Sequence, residues 1–380
     1  MTTSPPPTID LGLGDPAHPM PSVVSATLRQ MADRPSLGYA PPGGLPALRR
    51  TLAEKLTAVN GLDATAREVV VTNGASQGIA AALAELCRPG DRVLVPEPGY
   101  PAYRAVCRSL GLTVTGYGVP AGDDTAAQPD WDALARSAAG ATAVLWNFPS
   151  NPTGRTADPA WYPRLYAVLR EHPALTVVSD EVYEDLCFGT RHVSPAARAG
   201  DLAARFVSVF SFSKGYAMTG MRVGYVHAPG PDLATRVARR HYAWSMSTPT
   251  LSQVCALAVA RGARDYPAGH RAALMSGRDR LVAGLRASGL SVATPEAGCF
   301  AWADVSASGL DAEAWSRAAA VRLRVLTAPG TEFAPHDTRH VRLSFAVGPA
   351  ELDAALERVS AWAADGWRPA ASARPAEVAR

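Results

Sequence analysis

Short apolar runs of three to five residues recur through the middle of the chain, separated by stretches with helical spacing. Val69-Val70-Val71, Val93-Leu94-Val95, Ala143-Val144-Leu145-Trp146, Val177-Val178-Ser179 and Phe206-Val207-Ser208-Val209-Phe210 read as strands. Between them, residues 76–87, 130–137 and 160–171 read as helices. The runs are continuous rather than alternating, which is the pattern of strands buried on both faces. Such strands joined by helices predict an α/β fold: a mostly parallel sheet with helices on both sides. Ligands of such sheets bind beyond the carboxyl ends of the strands.

Past residue 270 the pattern changes. A long helical stretch leads to the run Cys299–Val305, then to a helix near 311–322. Arg324–Thr327 and Val341–Phe345 read as strands, and 349–365 as an amphipathic helix. This predicts a smaller α+β domain. The expected organisation is a loose tail at 1–8, a segment at 9–40 packing with the small domain, a large domain at 41–270, the small domain at 271–366 and a loose tail at 367–380. The tails are expected from Pro5-Pro6-Pro7 and from the polar, proline-bearing run Arg368–Pro375.

Composition narrows the class. The chain of 380 residues is 47% hydrophobic and 19% charged, enough for large buried cores. A net charge of +3 offers no electrostatic case for nucleic acid or membrane as a partner. There is no apolar run long enough for a transmembrane helix. Met1–Pro7 lacks the basic and apolar regions of a signal peptide. Cys87, Cys107, Cys187, Cys255 and Cys299 show no C-x-x-C spacing, which suits reduced thiols in a cytoplasm better than disulfides or a metal site.

Lysine usage is the sharpest chemical signal. The chain has two lysines, Lys55 and Lys214, against 35 arginines. Lys55 reads as an incidental surface lysine. Lys214 lies in Ser211-Phe212-Ser213-Lys214-Gly215-Tyr216, with Arg222 eight residues on. A lysine amine can lose its proton and form a Schiff base with an aldehyde; a guanidinium cannot. The aldehyde that suits it is pyridoxal 5'-phosphate (PLP).

Other motifs follow the predicted strands. Thr72-Asn73-Gly74-Ala75-Ser76-Gln77-Gly78 opens a helix with small residues, so its N–H groups can face an anion. Arg222, Ser211 and Ser213 can complete a phosphate cup. Asp180 ends a strand, and a buried carboxylate there needs a cation, such as a pyridinium N–H. Tyr183 and Asn151, the latter in the stiff loop Asn147–Gly154, can reach a phenolate oxygen of the same ring. Tyr100 can stack on it.

Together these residues resemble fold-type I PLP enzymes, specifically the class I/II aminotransferase family, over residues 9 to 365. Leu11-Gly12-Leu13-Gly14-Asp15-Pro16, Gly38–Leu45, Pro329–Phe333 and Val341–Phe345 extend the likeness. It implies a PLP-dependent transferase fold with a seven-stranded, mostly parallel sheet in its large domain and a smaller α+β domain. Lys214 would be the Schiff-base lysine and would shuttle the proton between Cα and C4'. Asp180 would pair with the pyridine nitrogen, and Asn151 and Tyr183 with the ring O3'. Tyr100 would stack on the ring, and Gly74, Ala75, Ser76, Ser211, Ser213 and Arg222 would hold the phosphate. Tyr39 would reach the phosphate of a neighbouring subunit, making a homodimer with composite sites. Arg342 would clamp the substrate α-carboxylate, with Gly14 and Asn151 beside it.

The resemblance implies an aminotransferase acting on an L-amino acid and its keto acid. Tyr242, Trp244 and Met246 suggest an apolar or bulky substrate side chain, or else simply pack an interface. The same scaffold also carries C–S β-lyase and other α-carbon chemistry. A regulatory protein that binds PLP without turnover would be expected to add a DNA-binding module, and no basic helix-turn-helix is left over.

Overall fold

A computed structural model describes residues 6–122 and 127–368. In chain order its strands are β1 (Ile9–Asp10), β2 (Val69–Thr72), β3 (Arg92–Glu97), β4 (Thr113–Gly118), β5 (Ala141–Asn147), β6 (Thr176–Asp180), β7 (Phe206–Ser211), β8 (Gly224–His227), β9 (Ser291–Val292), β10 (Phe300–Asp304), β11 (Val325–Leu326), β12 (Ala328–Pro329) and β13 (His340–Ser344). The helices are α1 (Ser22–Ala32), α2 (Pro46–Lys55), α3 (Gly74–Leu86), α4 (Ala102–Ser109), α5 (Trp131–Ala138), α6 (Tyr162–Glu171), α7 (Phe212–Gly215), α8 (Pro231–Ser245), α9 (Thr250–Gly262), α10 (Tyr266–Ala287), α11 (Ala312–Ala318) and α12 (Pro349–Ala364).

Seven strands join in the order β2-β8-β7-β6-β5-β3-β4. Neighbours are parallel except around β8, which runs against both β7 and β2. Every residue of β2 and β8 is buried, as is all of β6 beyond its first residue. Successive residues serve opposite faces. Val207 and Val209 pack with Ile79, Leu83 and Val237 of α3 and α8. Phe206 and Phe210 pack on the other side with Leu165, Leu169 and Leu52 of α6 and α2. The result is a three-layer α/β/α body, and the continuous apolar runs follow from it. Two strands of this seven-stranded sheet escaped the sequence reading. β4 is an edge strand in which only Tyr117 is buried, so it carries no apolar run. β8 is four residues long and begins on a glycine.

A second core gathers the antiparallel sheet β12-β13-β10-β9 under α10, α11 and α12. β1 pairs parallel with β11 and brings Ile9 and Leu11 into this core. The rest of the N-terminal segment behaves differently from expectation. α1 lies on α9, and Val24 belongs to the large core with Val23 and Leu28 beside it. Its apolar stripe is covered by α9 rather than by the small sheet. Residue 270, the expected border, lies inside α10, which runs unbroken from His270 near Gly215 to Leu281 and Leu285 in the second core.

Of the expected loose tails, residues 1–5 and 369–380 lie outside the described residues. The described parts are held. Arg358 donates to the Pro7 carbonyl at 3.0 Å. Trp367 packs edge-on to Trp362 at 5.0 Å and beside Trp315 at 6.2 Å. No helix among the described residues is long and apolar enough to cross a membrane.

Candidate active site

The carboxyl ends of β5, β6 and β7 lie side by side, with Asn147 opposite Asp180 and Asp180 opposite Val209. A cavity of about 430 Å³ opens above them. The turn after β2, the loop after β3, the Gly12–Asp15 segment and the start of β10 close it from other sides. Lys214, Asp180, Tyr183, Asn151, Tyr100, Ala75, Ser76, Ser211, Ser213, Arg222, Gly14 and Arg342 all line it. Residues 14 to 342 of the sequence thus meet in one place.

Lys214 is carried by α7, a single turn directly after β7. The Ser211 side chain caps that turn by accepting the Ser213 N–H at 3.1 Å. The Lys214 amine donates to the Gly14 carbonyl. Gly14 cannot be larger, because a Cβ there would lie 2.2 Å from the Phe300 ring.

Asp180 is buried, and its carboxylate accepts the Tyr103 hydroxyl at 2.6 Å and the Val182 N–H at 3.3 Å. Burial pushes its pKa up from 3.8 to about 6, although both hydrogen bonds pull the other way. The same environment holds the Tyr103 phenol well above its usual range, so the shared proton stays on the tyrosine. Asn147 ties the site together: it donates to the Asp180 carbonyl at 3.2 Å and accepts the Asn151 N–H at 3.0 Å. On the far side of the strand end, Glu181 is fully buried against His192 at 2.8 Å and Ser194 at 3.0 Å. Burial opposes its ionisation, but bonds from His192, Ser208 and Ser179 outweigh that and hold its pKa low.

Arg342 stands on β13 with its guanidinium 3.8 Å from the Phe300 ring and 4.7 Å from Phe333. Its hydrogen bonds go to neutral oxygens, Asn151 Oδ1 at 2.9 Å and the Gly12 carbonyl. A buried, oriented cation whose hydrogen bonds go to neutral oxygens can receive a carboxylate. Burial lowers its pKa from the ordinary arginine value.

The opposite end of the cavity fits a phosphate. Gly74 opens α3 with φ +75°, and a Cβ there would sit 2.5 Å from the Arg222 guanidinium. Arg222 itself takes a left-handed conformation and donates to the Thr219 carbonyl at 3.0 Å. Helix N–H groups, two serine hydroxyls and a guanidinium face one space. Phosphate cradle, buried carboxylate and lysine amine match the three ends of PLP.

The family model for aminotransferases of class I and II matches residues 6–359. The chain belongs to that family. Its members use PLP, so this is a PLP-dependent enzyme of the aminotransferase family. An aspartate/prephenate aminotransferase of Thermus thermophilus is 32% identical over 355 residues, covering 92% of this chain and 89% of that protein. A valine–pyruvate aminotransferase of Mycobacterium tuberculosis is 32% identical, covering 93% and 90%. Among solved structures, an aromatic aminotransferase from Pyrococcus horikoshii superposes with a TM-score of 0.88 at 27% identity, covering 94% and 96%.

Against this family site, three expectations need correction or extension. Tyr39 is 83% exposed and lies outside the cavity of its own chain. Tyr242, Trp244 and Met246 are also on the surface, so they do not line a substrate pocket within the chain. They sit at the end of α8, whose inner face is spent on the large core through Ala234 and Val237. Lys55 is not a free surface lysine: its amine meets Glu184 at 2.5 Å and lies 4.9 Å over the Phe210 ring. The sequence reading missed Tyr103, Asn147, Phe300 and Thr219. Asn147 heads the loop singled out for Asn151, and its place at a strand end was the available signal.

Proposed function

We propose that the protein transfers the amino group of an L-amino acid with an apolar or bulky side chain to a keto acid. The observation that carries it is the meeting in one cavity of Lys214, Asp180 and an Arg342 guanidinium hydrogen-bonded to neutral oxygens. PLP, when bound, supplies an aldehyde and a protonated ring that withdraws electrons from the substrate Cα. Arg342 and Asn151 take the α-carboxylate, which fixes the Cα–H bond relative to Lys214. The Lys214 amine then takes the Cα proton. Asp180 keeps the ring nitrogen protonated, and Asn151 and Tyr183 hold the ring oxygen. Ala75, Ser76, Ser211, Ser213, Gly74 and Arg222 bind the phosphate, and Tyr100 covers the ring.

The side-chain preference rests on the lining. Leu13, Ile79, Tyr100 and Phe300 border the cavity, and Arg222 and Arg342 are the arginines among its described walls. Arg222 is committed to the phosphate end, Arg342 to the α-carboxylate and Lys214 to the cofactor, so a second carboxylate finds no further cation among the described residues lining the cavity. The aspartate-named relative points the other way, which makes the donor panel decisive. With one keto acid as acceptor and the amino acids as donors, apolar and aromatic donors should lead, with Lys214→Ala inactive throughout. Aspartate as the best donor would overturn the pocket argument. Ammonia and pyruvate from a cysteine conjugate, without aminated product, would replace transamination by β-elimination.

We further propose that two copies share their sites. Leu37, Tyr39, Tyr242, Trp244 and Met246 are all exposed. Thr250 holds the Gly38 carbonyl at 2.6 Å, so the 37–39 segment lies beside the connection after α8. A second copy covering this apolar surface would bring Tyr39 to the other phosphate cradle.

A further inference from the structure

Tyr103 is 2% exposed and is not among the residues that the sequence singles out for the site. It stands in the first turn of α4, edge-on to Tyr100 with ring centroids 5.5 Å apart, and it lines the active cavity. Its hydroxyl donates to Asp180 Oδ2 at 2.6 Å, while Oδ1 takes only the longer bond from Val182. The carboxylate is therefore held mainly by one phenol. A short bond from a neutral donor stabilises the carboxylate and lowers its appetite for a further proton. The phenol stays protonated, so the donor is present throughout the working range of pH.

We propose that Tyr103 is a positioning residue for the reaction: by holding Asp180 Oδ2 it fixes the carboxylate and keeps the proton shared with the PLP ring nitrogen on the nitrogen. The inference rests on the assignment of Asp180 to that nitrogen. Without the phenol, Asp180 becomes the stronger base, the proton moves toward the carboxylate, and the ring withdraws electrons less well. Arg342 and the phosphate cradle are untouched. The loss therefore falls on turnover and not on substrate or cofactor binding.

The test uses the holoenzyme loaded with PLP carrying ¹⁵N in its ring. Tyr103→Phe keeps the ring that packs on Tyr100 and removes only the hydroxyl. The expected result is a ring-nitrogen signal moved toward the unprotonated value, with unchanged PLP affinity. In turnover, kcat should fall roughly ten- to hundredfold with KM within about twofold. In enzyme loaded with a 1-deaza analogue of PLP, which has no ring nitrogen, Tyr103→Phe should cost nothing further. An unchanged nitrogen signal, an equal loss with the deaza analogue, or a loss confined to KM overturns the proposal. Asp180→Asn separates the two levels. If it leaves the nitrogen signal unchanged, the assignment of Asp180 fails. If it moves the signal and Tyr103→Phe does not, only the role of Tyr103 fails.

Discussion

Asp180 is held at a loss by the fold until a cation arrives. Its pKa is raised from 3.8 to about 6 by burial, so ionising it in the cofactor-free protein costs about 3 kcal/mol at neutral pH. The sign follows from the raised value. The folded state binds the proton more tightly than the unfolded chain, so this stability is present below pH 3.8 and is lost as pH rises through about 6. A protonated ring nitrogen opposite the carboxylate removes the penalty. The gain in Tm on adding PLP should therefore increase between pH 4 and pH 7. Part of any such slope comes from the phosphate, so the difference between wild type and Asp180→Asn is the measurement. Parallel slopes in the two proteins would mean that the Asp180 carboxylate does not face the cofactor's cation. Lys214 and Asp180 were legible in the sequence because their residue types are costly or rare where they stand. Tyr103 was not, because a tyrosine in an ordinary helix looks the same whether its hydroxyl meets water or a buried carboxylate. Lys55 was misread for the converse reason. Its Glu184 partner lies 129 residues away in sequence.

At the scale of elements, the site is a set of strand ends, each with a short connection that turns a side chain or an N–H into the cavity. The turn from β2 to α3 is the most demanding. Gly74 sits at φ +75°, where a side chain is strained, and the space its Cβ would need is filled by Arg222. Gly74→Ala should therefore displace Arg222 from the phosphate end and weaken PLP binding by about tenfold or more. Absorbance titration of the apoprotein would measure it. Pyridoxal, which lacks the phosphate, should bind Gly74→Ala and wild type alike; equal weakening of both ligands would place the damage elsewhere. Buried strands such as β5, β6 and β7 could be read from their apolar runs, and the helices between them from spacing. The edge strand β4 could not, because Thr113–Gly118 meets solvent along most of its length. The seating of α1 on α9 was also hidden. An amphipathic stripe declares that it will be covered, not by which partner.

For the whole molecule, the surface around Tyr39 is the part that one chain leaves uncovered. Two large cores and the described walls of the cavity come from one chain, yet Leu37, Tyr39, Tyr242, Trp244 and Met246 remain on the outside. Scattered exposed apolar residues are ordinary, but the Gly38–Thr250 bond ties the 37–39 segment to the chain that follows α8. A second copy seated there would lend Tyr39 to the neighbouring phosphate. Light scattering should then give twice the chain mass, and a hybrid tests the exchange directly. Tyr39→Phe should weaken PLP binding by about tenfold through the lost phosphate bond. Pair a Tyr39→Phe subunit with a Lys214→Ala subunit, each with its own affinity tag. The intact Lys214 then lies in the subunit carrying Phe at 39. If Tyr39 crosses the interface, that lysine receives an intact tyrosine from its partner, and the one active site binds PLP as tightly as wild type. If Tyr39 serves its own chain, the same site shows the weakened affinity of Tyr39→Phe. Full activity from a monomer would end the idea outright. It would leave the aromatic patch to a different partner, with the Lys214 site complete inside a single chain.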